Sequence, residues 1–172
     1  MKKYLLIALS LLLVASVAFA QTSLEGSWNI KMSAMGLSGS NTMTFDGATS
    51  GNTTQNASVK MAMNFFGVKI DGEVNASVTG TFVLEGTTLT IKWDKSTLKT
   101  ERKPVVATTG GERNAELEKE TTDQLDEMFN EIVKNLDDDE VYTNVRVQGN
   151  KLHLTSVGDD GKPETEKYTR VR

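Results

Sequence analysis

The chain has no cysteine among its 172 residues. No disulfide can brace it, so its core alone must hold it, and thiol catalysis and Cys-ligated metals are excluded. His153 is the single histidine, and no nucleophile is recognisably paired with it. The spacings H-E-x-x-H, G-x-S-x-G and the phosphate-binding P-loop do not occur. After the first twenty residues no segment is both long and apolar enough for a membrane-spanning helix. Basic residues are also in deficit, 19 against 23 acidic, which argues against a nucleic-acid partner.

What is present begins with a leader pattern. Lys2 and Lys3 form a positive head, residues 5–17 an apolar stretch, and Ala18-Phe19-Ala20 a small-residue cleavage site. The expectation is a signal peptide over 1–20 and a single domain over 21–172, periplasmic or secreted. No cysteine follows the apolar stretch, so a lipid anchor is not expected. Without Lys2 and Lys3 the chain carries 17 basic and 23 acidic residues, a net charge of −6.

The dominant pattern of the domain is alternation. From Val68 to Leu84 the apolar residues Val68, Ile70, Val74, Ala76, Val78, Phe82 and Leu84 all fall on even numbers, with Lys69, Asp71, Glu73, Asn75, Thr79 and Thr81 between them. A period of two predicts a strand with one apolar face. Gly72 and Gly80 keep the phase, which predicts a long strand bent or bulged at two points. Residues 85–88 turn the chain, and Leu89, Ile91 and Trp93 continue the pattern. Shorter alternating runs cover 28–32, 43–45, 57–65, 141–147, 152–156 and 164–172. The polar segment 47–55 reads as a loop, and Pro104 with Val105 to Gly111 as an exit from the sheet. The pattern predicts a mainly β domain, an antiparallel barrel or sandwich of eight to ten strands.

One helix interrupts it, over about 110–137. Thr109-Gly110-Gly111-Glu112 matches a capping box, and Leu125, Met128, Phe129, Ile132, Val133 and Leu136 recur three and four apart as one apolar stripe. Residues 112–140 hold twelve acidic and three basic residues. Their mutual repulsion weakens an isolated helix, so the stripe is expected to dock on the sheet. No metal or cofactor site is expected, because the run Asp137-Asp138-Asp139-Glu140 lacks the spacing of a calcium loop.

The predicted inward faces suggest a lining for a small apolar or amphipathic ligand: Phe45, Met61, Met63, Phe65, Ile70, Val74, Phe82, Leu84, Leu89, Ile91 and Trp93. It is apolar and, through its methionines, adaptable. These faces offer no paired acids or bases, so catalysis is not expected.

Gly26-Ser27-Trp28 is a G-x-W motif at the first strand. With the segment 80–91, GTFVLEGTTLTI, and the closing Tyr168-Thr169-Arg170, the chain resembles the small exported lipocalin-like proteins of Bacteroidetes-type bacteria. The resemblance implies an up-and-down calycin barrel with one closed and one open end. It also implies that Trp28 closes the base and that an arginine near the end, Arg170 or else Arg172, packs over it. The chain departs from the family in lacking a central T-D-Y and in placing its helix before the last strands. Two functions follow as expectations. One is a non-catalytic exported binding protein, monomeric, for a small apolar or amphipathic ligand. The other is an envelope or secreted protein-interaction module whose barrel is filled.

Overall fold

In the computed structural model the alternating segments pair into one closed antiparallel barrel of eight strands, with a short ninth strand and a helix attached. The structure describes residues 23–34, 36–136, 139–158 and 160–171. At 34, 128, 129 and 131–135 it describes the backbone only. The expected leader lies outside the described residues. The strands are β1 (Gly26–Ala34), β2 (Leu37–Phe45), β3 (Ser50–Phe65), β4 (Val68–Glu85), β5 (Thr88–Thr109), β6 (Glu112–Arg113), β7 (Glu140–Gln148), β8 (Lys151–Val157) and β9 (Pro163–Arg170); α1 (Ala115–Asn135) lies between β6 and β7. Successive hairpins run from β1 to β5. The sheet then passes to β7, β8 and β9, which returns to β1. No helix among the described residues is long and apolar enough to cross a membrane.

The barrel is lopsided. β3, β4 and β5 have 16, 18 and 22 residues, against 7 to 9 in β7, β8 and β9. Only the lower parts of the long strands are enclosed. The two seams are short: β1 meets β9 at Trp28↔Arg170 and Asn29↔Thr169, and β5 meets β7 at Leu89↔Tyr142, Thr90↔Val141 and Ile91↔Glu140. Above them β1–β5 continue, and past Leu37↔Met61 only β3–β5 run on as a curved three-stranded extension.

Two apolar clusters divide this shape. Leu24, Trp28, Met43, Phe45, Phe82, Leu84, Leu89, Ile91, Val145, Leu152, Leu154 and Tyr168 fill the closed end. Phe45 and Phe82 meet there edge to face, with centroids 4.8 Å apart, a geometry that aromatic rings favour. The second cluster lies on the extension, where Leu125 of α1 packs on Ile70, Val74, Val105 and Ala107, with Leu117 beside it. Leu136 is buried just beyond the helix. The side chains of Met128, Phe129, Ile132 and Val133 lie outside the described residues.

Bulges bend the long strands to this curvature. The β4–β5 register shifts between Asp71 and Glu73, where Pro104 and Val105 oppose Gly72. A bulge is one of the few places in a sheet that tolerates a residue without an N–H. A Cβ on Gly72 would lie 3.3 Å from Val105 and 3.7 Å from Leu125, so the bare glycine makes room for the helix. The second shift falls at Val78 rather than at Gly80. There the Thr97 hydroxyl accepts the Thr79 N–H at 2.9 Å and replaces a ladder bond.

Three expectations are corrected. The polar stretch from Ser50 is strand, because its backbone pairs with β4 from Ser50↔Val83 onward and Thr53 turns fully into the core. Pro104 to Thr109 do not leave the sheet but continue β5, with the bulge absorbing the proline. The helix begins at Ala115 instead of 110 and ends at Asn135. Gly110 and Gly111 form a hairpin turn that pairs Thr109 with Glu112, and Asn114 is the cap. Its Oδ1 accepts the Leu117 N–H at 3.0 Å, since a short amide next to the first helical residue outcompetes a hydroxyl five residues away.

Candidate functional site

The closed end is built on the first strand. Trp28 is fully buried, and its indole N–H donates to the Leu24 carbonyl at 2.7 Å. Antiparallel pairing sets Arg170 opposite it, and the guanidinium carbon stands 4.3 Å from the indole centroid. Gly26 has φ +117, and a Cβ there would meet the Arg170 guanidinium at 3.3 Å. The glycine two residues before the tryptophan therefore leaves the arginine its seat.

Above this plug the interior changes character. Ile91 and Leu154 are core residues, and their cross-strand partners are Glu140 on β7 and Glu166 on β9. Both carboxylates therefore point inward, beside Ile91 and Leu154 of the apolar fill. The Tyr142 hydroxyl donates to Glu140 Oε2 at 3.1 Å and the Tyr168 hydroxyl to Glu166 Oε2 at 2.7 Å. Asn41 donates from Nδ2 to the Tyr168 oxygen at 3.4 Å, which closes the belt toward β2. Two buried atoms of the belt, Asn41 Oδ1 and Trp93 Nε1, have no hydrogen-bond partner among the described residues. Neither do Glu140 and Glu166 form an ion pair with any described lysine or arginine.

Burial drives the electrostatics of this belt. It pushes the Glu140 carboxyl above the ordinary range. The Trp93 indole, close but without a closed hydrogen bond, and the Tyr142 hydroxyl pull it back down, while the Glu166 charge raises it again. Burial first, then the neighbouring carboxylates, holds the Tyr142 and Tyr168 hydroxyls far above the usual phenol range. Both therefore stay protonated and keep donating. For Glu140 the sign is that of a raised acid: the folded state resists ionisation, so stability falls as pH climbs from the unfolded pKa through the folded one. Glu140→Gln should accordingly melt higher than the parent at pH 7, with the gain vanishing below about pH 4, where both states are protonated. Thermal melts at the two pH values check this, and a lower midpoint at pH 7 would contradict it.

The wall facing the belt is made of small or apolar side chains. In register, Asn41 pairs with Ala57, Ala57 with Ala76, and Ala76 with Thr100. Ala57 and Ala76 share the inward phase of Thr53 and Val78, yet both are only half-buried. Toward the open end this wall continues through Met32, 58% exposed in the phase of Trp28 and Ile30, and through Val59 and Met61.

The suggested lining residues divide accordingly. Phe45, Phe82, Leu84, Leu89 and Ile91 are buried in the closed-end fill, and Trp93 is half-buried against it. Ile70 and Val74 are buried beneath the helix, with Met61 half-buried against the same cluster. Met63 and Phe65 are corrected outright. They stand exposed on the β3–β4 hairpin, beyond the reach of the enclosing strands, with Phe65 68% exposed. The expectation of inward faces without paired acids is corrected too, by Glu140 and Glu166. His153 lies among Arg146, Lys151 and Lys167; burial, then these three cations, holds its pKa below the ordinary histidine value. Among the described residues no group of three or more His, Asp or Glu stands together as a metal site.

Family models, curated proteins and solved structures were each compared with this chain, and none matches.

Proposed function

We propose that the chain is an exported, non-catalytic, lipocalin-like binding protein, and that its open half holds one small amphipathic molecule. One observation carries the reading: above a filled base, the inward lining is split. β7 and β9 contribute Glu140, Tyr142 and Glu166, while β1, β3 and β4 contribute Met32, Ala57, Met61 and Ala76. A polar head and an apolar body would each find a matching wall, and methionines adapt to varied shapes. The helix crosses the extension beside this opening. It is tied down by Leu125, by the Arg102–Asp126 ion pair and by Glu118, which accepts from the Ala107 N–H at 3.2 Å.

The test uses the fluorescent probe N-phenyl-1-naphthylamine. Saturable one-to-one binding is expected, and Ala76→Trp should abolish it without lowering the melting temperature, because the indole would occupy unfilled space. Equal binding by the variant, or no saturable binding by the parent, overturns the reading. The second reading, an interaction module, rests on the tip of the β3–β4 hairpin. Phe65 and Phe66 meet there edge to face, with centroids 4.2 Å apart, 68% and 90% exposed, and Phe66 held at φ +47. A solvated aromatic pair of this kind is a contact surface for another macromolecule, and failure of the probe experiment would favour it.

A further inference from the structure

The belt has a chemical bias that narrows the ligand class, and the inference rests on the binding reading above. We infer that the head group seated between β7 and β9 is an organic cation (an amine, guanidinium or quaternary ammonium), carried on an apolar body.

Four observations converge. First, two carboxylates share one enclosed level of the barrel, and among the described residues no basic side chain pairs with either. Inward carboxylates on the two strands that flank β8 lack the counter-charge that burial makes them favour. A cation arriving there relieves both, whereas an anion adds a third negative charge. Second, the walls are aromatic. Trp93 and Tyr142 are half-buried against the closed-end cluster, and ring faces attract cations. Third, both tyrosine hydroxyls are already spent as donors to the carboxylates. They fix the orientation of Glu140 and Glu166 and leave the outer carboxylate oxygens as acceptors. Fourth, the buried Oδ1 of Asn41 is an acceptor with no donor, and an ammonium or guanidinium N–H supplies one. Trp93 Nε1 is the one donor of the belt without a partner among the described residues, and it stands beside Glu140.

Neither Arg170 nor Arg102, cations in the inward phase, serves this purpose. Arg170 stands over the Trp28 ring. Arg102 lies elsewhere, opposite Val74 on the extension, and Asp126 of α1 takes up its charge. Lys92 is exposed and paired with Asp139.

The experiment is calorimetric titration of the purified protein with three ten-carbon amphiphiles below their micellar concentrations: decylamine, 1-decanol and sodium decanoate. Decylamine is expected to bind about tenfold or more tighter than decanol, with decanoate weakest. In Glu140→Gln/Glu166→Gln the decylamine advantage should shrink to about threefold or less while decanol affinity is kept. Each single variant should lose part of the advantage, and their melting curves show that the fold is intact. Decanol or decanoate binding as tightly as decylamine overturns the cation assignment and leaves the binding reading standing. A decylamine preference that survives the double substitution also overturns it, because the cation then sits elsewhere. If none of the three binds, the binding reading itself falls, and this inference with it.

Discussion

Replacing Trp28 by alanine should destabilise the protein by about 3–5 kcal/mol, the range for deleting a fully buried large aromatic side chain. The indole is fully excluded from solvent, lies at the centre of the closed-end cluster, and satisfies the Leu24 carbonyl. Its removal leaves a cavity among side chains held by the strands at the β1–β9 seam, where only two residue pairs close the barrel. That seam cannot collapse inward without losing its ladder. Arg170→Ala should cost far less, about 0.5–2 kcal/mol, because a cation over a ring adds only that much and the arginine itself is exposed. Denaturant unfolding of the two variants separates these effects. Equal losses would mean that the arginine rather than the indole volume holds the base together.

The second large effect is expected at the helix. Leu125→Ala should weaken docking of α1 by about 2–5 kcal/mol. Leu125 is 4% exposed and is the only helix residue buried in the second cluster among the described side chains. Its partners Ile70, Val74, Val105 and Ala107 all belong to β4 and β5. The loss should therefore be local. Amide exchange over 115–135 should accelerate while the strands around Trp28 keep their protection, since regions with few buried contacts open first. Acidic repulsion makes the undocked helix weaker still, because Glu116/Glu120 and Asp123/Glu127 are like-charged neighbours four apart. Unchanged exchange in the helix would show that the remaining stripe suffices.

Much of the barrel can be read from alternation alone. The even phase of Val68 to Leu84 predicts β4 with the correct inward face, and Leu89, Ile91 and Trp93 continue it into β5. Glu166 was also within reach, since it shares the phase of Tyr168 two residues on. Glu140 was not. Read from Val145 and Val147, the phase of β7 puts Val141 inside and Glu140 outside. The bulge between Thr143 and Arg146, with Asn144 at φ +52, reverses it, so Val141 is 50% exposed and Glu140 and Tyr142 turn inward. One unpaired residue moves every earlier side chain of a strand to the opposite face.

Local periodicity thus determined which segments are strands, where the helix before β7 lies and that the chain must close on an apolar core. Each of these follows from the spacing of side chains along the backbone. What only the tertiary structure decided is where that core stops. The lengths of β3–β5, the two short seams and the β7 bulge put packed rings at one end and carboxylates above them. Those features depend on which strand pairs with which, and in what register, because a bulge or an unequal strand length shows only against its partner.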